Sequence, residues 1–236
     1  MSHDLYLVLF DLDGTLMLSG GAGMRGMSRA FRDLYGVENS FEGISPDGKV
    51  DPGLFREMAA NHDVDLGPDE QTNLDRLRES YTEHLAEEMP KSEAAVLMPG
   101  FPELLNRLSG MSGVELGLLT GNYEQTARIK LDRFGLNVYF PFGAFGSDDD
   151  IRENLVPLAV ARAEEHTGRQ IGMGPHVIIV GDTPRDVACG KAHGARTVAV
   201  ATGSYDVESL LETGADIALQ DFSEIEGSIK AILGTE

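Results

Sequence analysis

The sequence predicts an α/β protein with a Rossmann-like parallel sheet core, helices on both faces of the sheet, and an inserted all-helical segment. Two observations support this prediction. From about residue 96 onward, short apolar runs of strand length alternate with segments of helical periodicity, which is typical of parallel sheets. Between residues 17 and 95, apolar side chains recur only at helical spacing. We therefore predict one domain formed by residues 1–16 and 96–236, and a helical domain of residues 17–95.

The composition limits the classes of function. The chain has 236 residues, of which 42% are hydrophobic, and this suits a globular protein with a sizeable core. Its formal net charge of −20 argues against nucleic-acid binding and against attraction to anionic membranes, because both need basic patches. We expect neither a membrane span nor a signal peptide. The single cysteine, Cys189, excludes an intrachain disulfide, fits a cytoplasmic location and is expected to be buried.

The first predicted strand, Tyr6–Phe10, is followed at once by Asp11-Leu-Asp-Gly-Thr15. Its apolar character predicts a strand that is buried on both faces. Asp11 and Asp13 then lie at the carboxyl end of a parallel sheet, where such folds bind ligands. Two carboxylates this close repel each other unless a cation lies between them, and oxygen ligands favour Mg²⁺. The alternative interpretation is an ordinary Asp-Gly turn at Gly14.

Three helices are predicted in the insert. Apolar side chains between residues 24 and 35 recur at helical spacing, and Gly36 is expected to end that helix. The second helix runs from Pro52 to about Asn61, with Asp51 as its N-cap. The third runs from Pro68 to about Glu88.

The remainder of the chain alternates between the two element types. The predicted helices are Phe101–Leu108, Glu124–Phe134, Leu155–Thr167 and Val187–His193. The predicted strands are Val114–Leu119, Phe142–Phe145, His176–Val180, Arg196–Val200 and, at the sheet edge, Asp216–Leu219.

Polar side chains follow three of the predicted strands: Asp11 and Asp13, then Thr120, then Asp182 with Asp186. The carboxyl ends of parallel strands lie at the same sheet edge, so these groups are expected to converge. Carboxylates, a hydroxyl and backbone amides together make a site for a metal and an oxyanion. For Asp186 an alternative role is that of an acidic residue stabilising a helix N-terminus.

With these motifs, the chain resembles the haloacid dehalogenase superfamily, in the subgroup with a helical cap that includes the phosphoglycolate phosphatases. Asp11-x-Asp13-Gly-Thr15 matches the first motif, Thr120 the second, and Gly181-Asp182-x-x-x-Asp186 the fourth. The third motif of the family is a lysine, and here Arg152 takes its place when Pro157 and Ala161 are aligned with the usual proline and alanine. The resemblance implies that residues 17–95 are the cap.

The resemblance also implies roles for these residues. Asp11 is expected to be the nucleophile that forms an aspartyl phosphate, and Asp13 the general acid and base. Thr120 is expected to hold phosphoryl oxygens, with further substrate contacts from Gly14, Thr15, Gly121 and Asn122. Mg²⁺ is expected to be bound by Asp11, Asp182, Asp186 and the backbone carbonyl of Asp13.

The cation of the third motif has three interpretations. Arg152 can screen phosphate and carboxylate in place of the lysine, and this interpretation is favoured. Lys130, in the helix after the second motif, can reach the site instead, or the site is weakened.

The resemblance favours phosphate ester chemistry, because Asp13 can protonate an alkoxide. A Mg²⁺-dependent phosphatase for a small, phosphoglycolate-like monoester is expected, with Lys49 contacting a substrate carboxylate or remaining in solvent. A phosphomutase of the β-phosphoglucomutase type and a non-catalytic binding protein are the alternatives. The expected partner is a small phosphorylated metabolite, and the protein is expected to be a monomer or a homodimer.

Overall fold

The computed structural model describes residues 5–235. The strands, in chain order, are β1 Tyr6–Phe10, β2 Met17–Leu18, β3 Val96–Leu97, β4 Val114–Thr120, β5 Gly143–Phe145, β6 Val177–Gly181, β7 Arg196–Val200 and β8 Ile217–Leu219. The α-helices are α1 Ala22–Tyr35, α2 Asp51–Asn61, α3 Glu70–Glu88, α4 Glu103–Ser109, α5 Glu124–Asp132, α6 Leu155–Thr167, α7 Pro184–Ala192, α8 Val207–Glu212 and α9 Ile225–Leu233.

Six strands form one parallel sheet in the order β5-β4-β1-β6-β7-β8. The first strand of the chain, β1, is therefore central and lies between β4 and β6. This order places the carboxyl ends of β1, β4 and β6 side by side. The predicted convergence of three polar strand ends is confirmed.

The sheet is covered on both faces, as the sequence predicts. Along β1, Val8 and Phe10 belong to one apolar core, whereas Leu7 and Leu9 belong to a second. All four side chains are fully buried, and each such burial contributes roughly 1.5–3 kcal/mol. The strand is thus fixed from both sides, which positions the two aspartates that follow it.

The helices α1, α2 and α3 lie between β2 and β3, which pair as a short antiparallel ribbon. We call residues 17–95 the helical segment. Within it α1 packs against α3 through buried side chains such as Phe31 and Leu85, and ion pairs such as Arg25–Glu88 (2.8 Å) join their exposed surfaces. The division of the chain into two domains remains a prediction.

Several local predictions need correction. Asp51 is the first residue of α2 and not its N-cap, a position that Val50 occupies. The helix α7 begins at Pro184, three residues before the prediction, because Thr183 and Asp186 form a capping box there. The ribbon β2–β3 and the helix α8 were not predicted, since two-residue strands and a six-residue helix carry little periodicity, and the nine-residue helix α9 was missed as well.

Within residues 5–235, no helix combines the length and the apolar character needed to cross a membrane.

Candidate active site

A cavity of about 490 Å³ lies over the carboxyl ends of the central strands. Asp11 and Asp13 follow β1, Thr120 ends β4 and Asp182 follows β6, and all four line this cavity. Of the other residues predicted for the site, Gly14, Gly121, Asn122, Lys49 and Arg152 also line it.

Three carboxylates cluster on one side of the site. Oxygens of Asp11, Asp182 and Asp186 all lie within 4.8 Å of one another, and all three side chains are buried. Burial raises the pKa of Asp182 to about 8, with repulsion from Asp11 and Asp186 adding to the shift. Burial likewise raises the pKa of Asp11 to about 6, although the positive charge of Arg152 opposes the shift. The cluster therefore carries more negative charge than its own surroundings neutralise.

The donor set fits Mg²⁺. The cluster consists of carboxylate oxygens alone, which hard cations such as Mg²⁺ prefer. A bound cation would favour the charged form of these buried carboxylates and relieve the repulsion between them. Asp186 is already engaged, because its Oδ1 accepts from Arg152 (2.6 Å) and its Oδ2 from the Thr183 hydroxyl (2.7 Å). Asp186 thus caps α7 and also belongs to the acidic cluster. Asp11 and Asp182 have fewer protein partners that compete with a metal ion for their carboxylate oxygens.

Arg152 is buried against the acidic cluster. One Nη atom lies 3.1 Å from Asp11 Oδ1 and 2.6 Å from Asp186 Oδ1. Although burial acts to lower it, the carboxylates of Asp11 and Asp186 raise the pKa of Arg152 above its usual value. Among residues 5–235 its Nε–H has no hydrogen-bond partner, so the guanidinium keeps a donor. Arg152 occupies the position of a cation beside the first aspartate.

Lys130 also reaches the site, at the other aspartate. Its Nζ donates to Asp13 Oδ2 (2.5 Å) and to Asn122 Oδ1 (2.6 Å), and its side chain is buried. The Asn122 amide donates to Asp13 Oδ2 as well (2.9 Å) and to Thr120 Oγ1 (2.9 Å). The two cations are therefore divided between the two aspartates, Arg152 on Asp11 and Lys130 on Asp13.

Thr120 and Thr15 have different surroundings. Thr120 Oγ1 accepts from both nitrogens of Asn122, so its own hydrogen can point to an oxygen in the cavity. Thr15 is fully buried, does not line the cavity, and donates to Asp182 Oδ1 (2.8 Å). Its contact orients an acidic side chain. Gly14 has a φ of 85°, and a Cβ there would overlap the Asp182 carboxylate.

The helical segment contacts the strand ends through residues 48–51. The Asp51 N–H donates to the Gly121 carbonyl (2.8 Å), and Asp51 Oδ2 accepts from the Tyr123 N–H (2.8 Å) at the start of α5. The Asp51 carboxylate therefore stabilises the N-terminus of α5, in place of the capping role at α2 that the sequence predicts. Burial raises its pKa to about 6.

Three backbone segments are stacked at this contact. A Cβ on Gly121 would overlap the Lys49 carbonyl oxygen, and a Cβ on Gly146 would overlap the Gly121 carbonyl oxygen. No larger residue fits at either position without moving the chain. Lys49, next to this contact, pairs with Glu57 Oε2 (2.5 Å).

Sequence reasoning missed part of the site. Thr202, Gly203 and Ser204 follow β7 and line the cavity, and Thr202 Oγ1 donates to the Gly14 carbonyl (2.5 Å). A Cβ on Gly203 would overlap Asp182 Oδ2. The signal was present, because a polar, glycine-containing loop follows an apolar strand here as it does after β4.

Comparisons with known proteins agree with this geometry. Residues 6–194 match the model of the haloacid dehalogenase-like hydrolase family, and the chain belongs to that family. It is 26% identical to the probable phosphatase IndB of Dickeya dadantii over 96% of this chain and 94% of the relative. It is 26% identical to a phosphoglycolate phosphatase of Aquifex aeolicus over 86% and 88% of the two chains. It is also 31% identical to the tyrosine-protein kinase PtkA of Mycobacterium tuberculosis, over 84% of this chain and 62% of that protein.

Solved structures share the fold. CbbY of Rhodobacter sphaeroides, solved in complex with phosphate, superposes with a TM-score of 0.71 at 18% identity, over 94% of this chain and 96% of that one. This likeness confirms the Rossmann-like fold. Within the family, the relatives place the chain among phosphoglycolate phosphatase-like phosphatases, hydrolases that act on phosphoric monoester bonds.

Proposed function

We propose that the protein is a Mg²⁺-dependent phosphatase that cleaves a small phosphate monoester through an aspartyl phosphate on Asp11. One observation carries the proposal: two aspartates, each paired with its own buried cation, face one cavity beside an acidic cluster. The proposed substrate is a small phosphorylated metabolite in the cytoplasm. The helical segment is proposed to be the cap domain over this cavity.

The residues suit an in-line transfer. The Asp11 carboxylate attacks phosphorus while Asp13 gives a proton to the departing alkoxide oxygen, so the ester bond breaks as the acyl phosphate bond forms. Water then attacks phosphorus, Asp13 takes its proton, and Asp11 is released with inorganic phosphate. The Thr120 hydroxyl and the Arg152 guanidinium stabilise the phosphoryl oxygens. Lys130 and Asn122 hold the Asp13 carboxylate in position for both proton transfers.

The metal would be held by Asp11, Asp182 and Asp186, with the backbone carbonyl of Asp13 as a proposed further ligand. When bound, Mg²⁺ neutralises charge on the phosphoryl group and on the carboxylates. Thr15 and Gly203 keep the Asp182 carboxylate in place for this role.

The test is phosphate release from p-nitrophenyl phosphate and a panel of small monoesters, with Mg²⁺ and with chelator. Metal-dependent release should fall by at least about 10³-fold in Asp11→Asn. Asp65→Asn is the matched control, because Asp65 lies in an exposed turn whose hydrogen bond to Gly67 an asparagine can also accept. Release that survives in Asp11→Asn contradicts the proposed nucleophile.

The same panel separates the alternatives. An isomerised sugar phosphate that accumulates without free phosphate identifies a phosphomutase. Neither product, with binding of phosphate esters retained, identifies a non-catalytic binding protein. The Arg152 contacts with Asp11 and Asp186 argue against lost chemistry, since the arginine is seated where the third-motif cation is needed.

A further inference from the structure

We infer that the leaving-group part of the cavity accepts an uncharged alcohol with an apolar body and discriminates against a second anionic group such as a carboxylate. The inference rests on the proposed phosphatase function and narrows its substrate class. It departs from the phosphoglycolate-like substrate that the sequence predicts. Three observations carry it.

The first observation is the apolar surface of the helical segment. Six large side chains from this segment line the cavity: Leu18, Met24, Met27, Phe41, Leu54 and Tyr81. Apart from Lys49, the charged groups that line the cavity from this segment are Asp47 and Asp51. A substrate bound through its phosphate at Asp11 therefore has its alcohol portion against hydrocarbon, where each buried methylene improves binding.

The second observation is that every lysine and arginine lining the cavity is already paired. Lys49 pairs with Glu57 (2.5 Å), Lys130 with Asp13 (2.5 Å), and Arg152 with Asp11 (3.1 Å) and Asp186 (2.6 Å). Lys130 and Arg152 also lie at the end of the cavity where the phosphoryl group is proposed to bind. Lys49 is the one placed to meet a carboxylate on the alcohol portion, and Glu57 neutralises it.

The third observation concerns the N-terminus of α1, which also faces the cavity through Gly20, Gly21 and Gly23. Such a terminus attracts anions when its amides are free. Here Ser19 uses two of them, because its carbonyl accepts from Ala22 N (3.2 Å) and its hydroxyl from Gly23 N (3.4 Å). The terminus therefore has two fewer free amides to offer a carboxylate than an uncapped helix has.

The charge balance points the same way. Five aspartates line the cavity against three cations. One Mg²⁺ only offsets this difference, so a carboxylate on the substrate meets no excess of positive charge in the cavity. Desolvating an unpaired carboxylate is costly, so an acidic leaving group is disfavoured in both binding and turnover.

The experiment measures kcat/KM for ethyl, n-propyl and n-butyl phosphate and for 2-phosphoglycolate, with Mg²⁺. We expect kcat/KM to rise two- to fourfold per added methylene. We expect 2-phosphoglycolate to be at least tenfold poorer than ethyl phosphate. A flat alkyl series, or 2-phosphoglycolate as the better substrate, overturns the inference.

Two variants test the assigned groups. Met24→Gln should flatten the alkyl series, whereas Met173→Gln, a methionine of similar exposure outside the cavity (40% against 42%), should leave it unchanged. Glu57→Gln frees Lys49 and should raise the ratio of 2-phosphoglycolate to ethyl phosphate activity at least about fivefold. Glu70→Gln, which breaks the Arg56 pair on the same segment, should keep the wild-type ratio. Unchanged ratios in Met24→Gln and Glu57→Gln contradict the assignment.

Failure of the inference and failure of the function are distinguishable. If no ester, including p-nitrophenyl phosphate, releases phosphate, the proposed function itself fails. If phosphate is released with Asp11 dependence but 2-phosphoglycolate ranks first, only the inference about the leaving group fails.

Discussion

The buried Asp51 carboxylate should make folding stability depend on pH. Burial raises its pKa from the usual 3.8 to about 6. A carboxyl whose pKa is raised in the folded state stabilises the fold below its unfolded pKa, and this contribution is lost as the pH rises through the folded value. A shift of about 2 units corresponds to about 3 kcal/mol in total, of which about 2.5 kcal/mol falls between pH 4 and pH 7.

The perturbation is Asp51→Asn, because the asparagine Oδ1 can still accept from Tyr123 N while the titration is removed. The free energy of unfolding is measured by urea titration at pH 4, 5, 6 and 7 for wild type and variant. Asp11 and Asp182 also titrate in the folded protein, but they do so in both chains, so the difference isolates Asp51. We expect the free energy of unfolding of the variant, relative to that of wild type, to rise by about 2.5 kcal/mol between pH 4 and pH 7. A difference that is constant with pH, or that changes in the opposite direction, would refute the reasoning.

Three further predictions concern the site. Arg152→Ala should lower kcat at least about 100-fold because Asp11 loses its cation, and Arg152→Lys should recover at least about tenfold of that loss in the same assay. Lys130→Met should lower kcat about 10- to 100-fold with ethyl phosphate but less than about tenfold with p-nitrophenyl phosphate, because the nitrophenolate leaving group needs little protonation by Asp13. Equal losses of kcat on both esters would contradict this expectation. Gly203→Ala should raise the Mg²⁺ concentration for half-maximal activity at least about tenfold, because its Cβ displaces the Asp182 carboxylate. Gly227→Ala, in an open position of α9, should not change it.

The sequence predicts the core of the fold well where periodicity is strong. Tyr6–Phe10 and Leu155–Thr167 match their elements residue for residue, because a strand buried on both faces and an amphipathic helix leave clear patterns. The elements near the C-terminus were not predicted. The helix α8 is short, whereas α9 ends at Gly234, a C-cap signal that the sequence does contain. The ribbon β2–β3 pairs residues 17 and 97, which local sequence cannot relate.

The strand-end residues of the site follow from local motifs, whereas their partners do not. Asp11 and Asp182 are recognisable because each directly follows an apolar strand, and Asp13 because it lies two residues after Asp11. Lys130 reaches Asp13 only because the helix α5 folds over the site. A lysine within a helix is ordinarily exposed, so its sequence position does not indicate this contact. The neutralisation of Lys49 by Glu57 requires the fold of the α2 region, so the sequence alone left its role open.

The stacked backbones at Gly121 and Gly146 have a consequence for experiment. Because Gly121 lacks a side chain where the Lys49 carbonyl oxygen lies, one added methyl group at residue 121 separates residues 48–51 from the strand ends. Gly121→Ala should therefore supply a form of the protein held apart at this contact, with every side chain of the acidic cluster kept. Scattering from such a form, compared with that of the wild-type chain, would give the dimensions of the separated arrangement without any ligand.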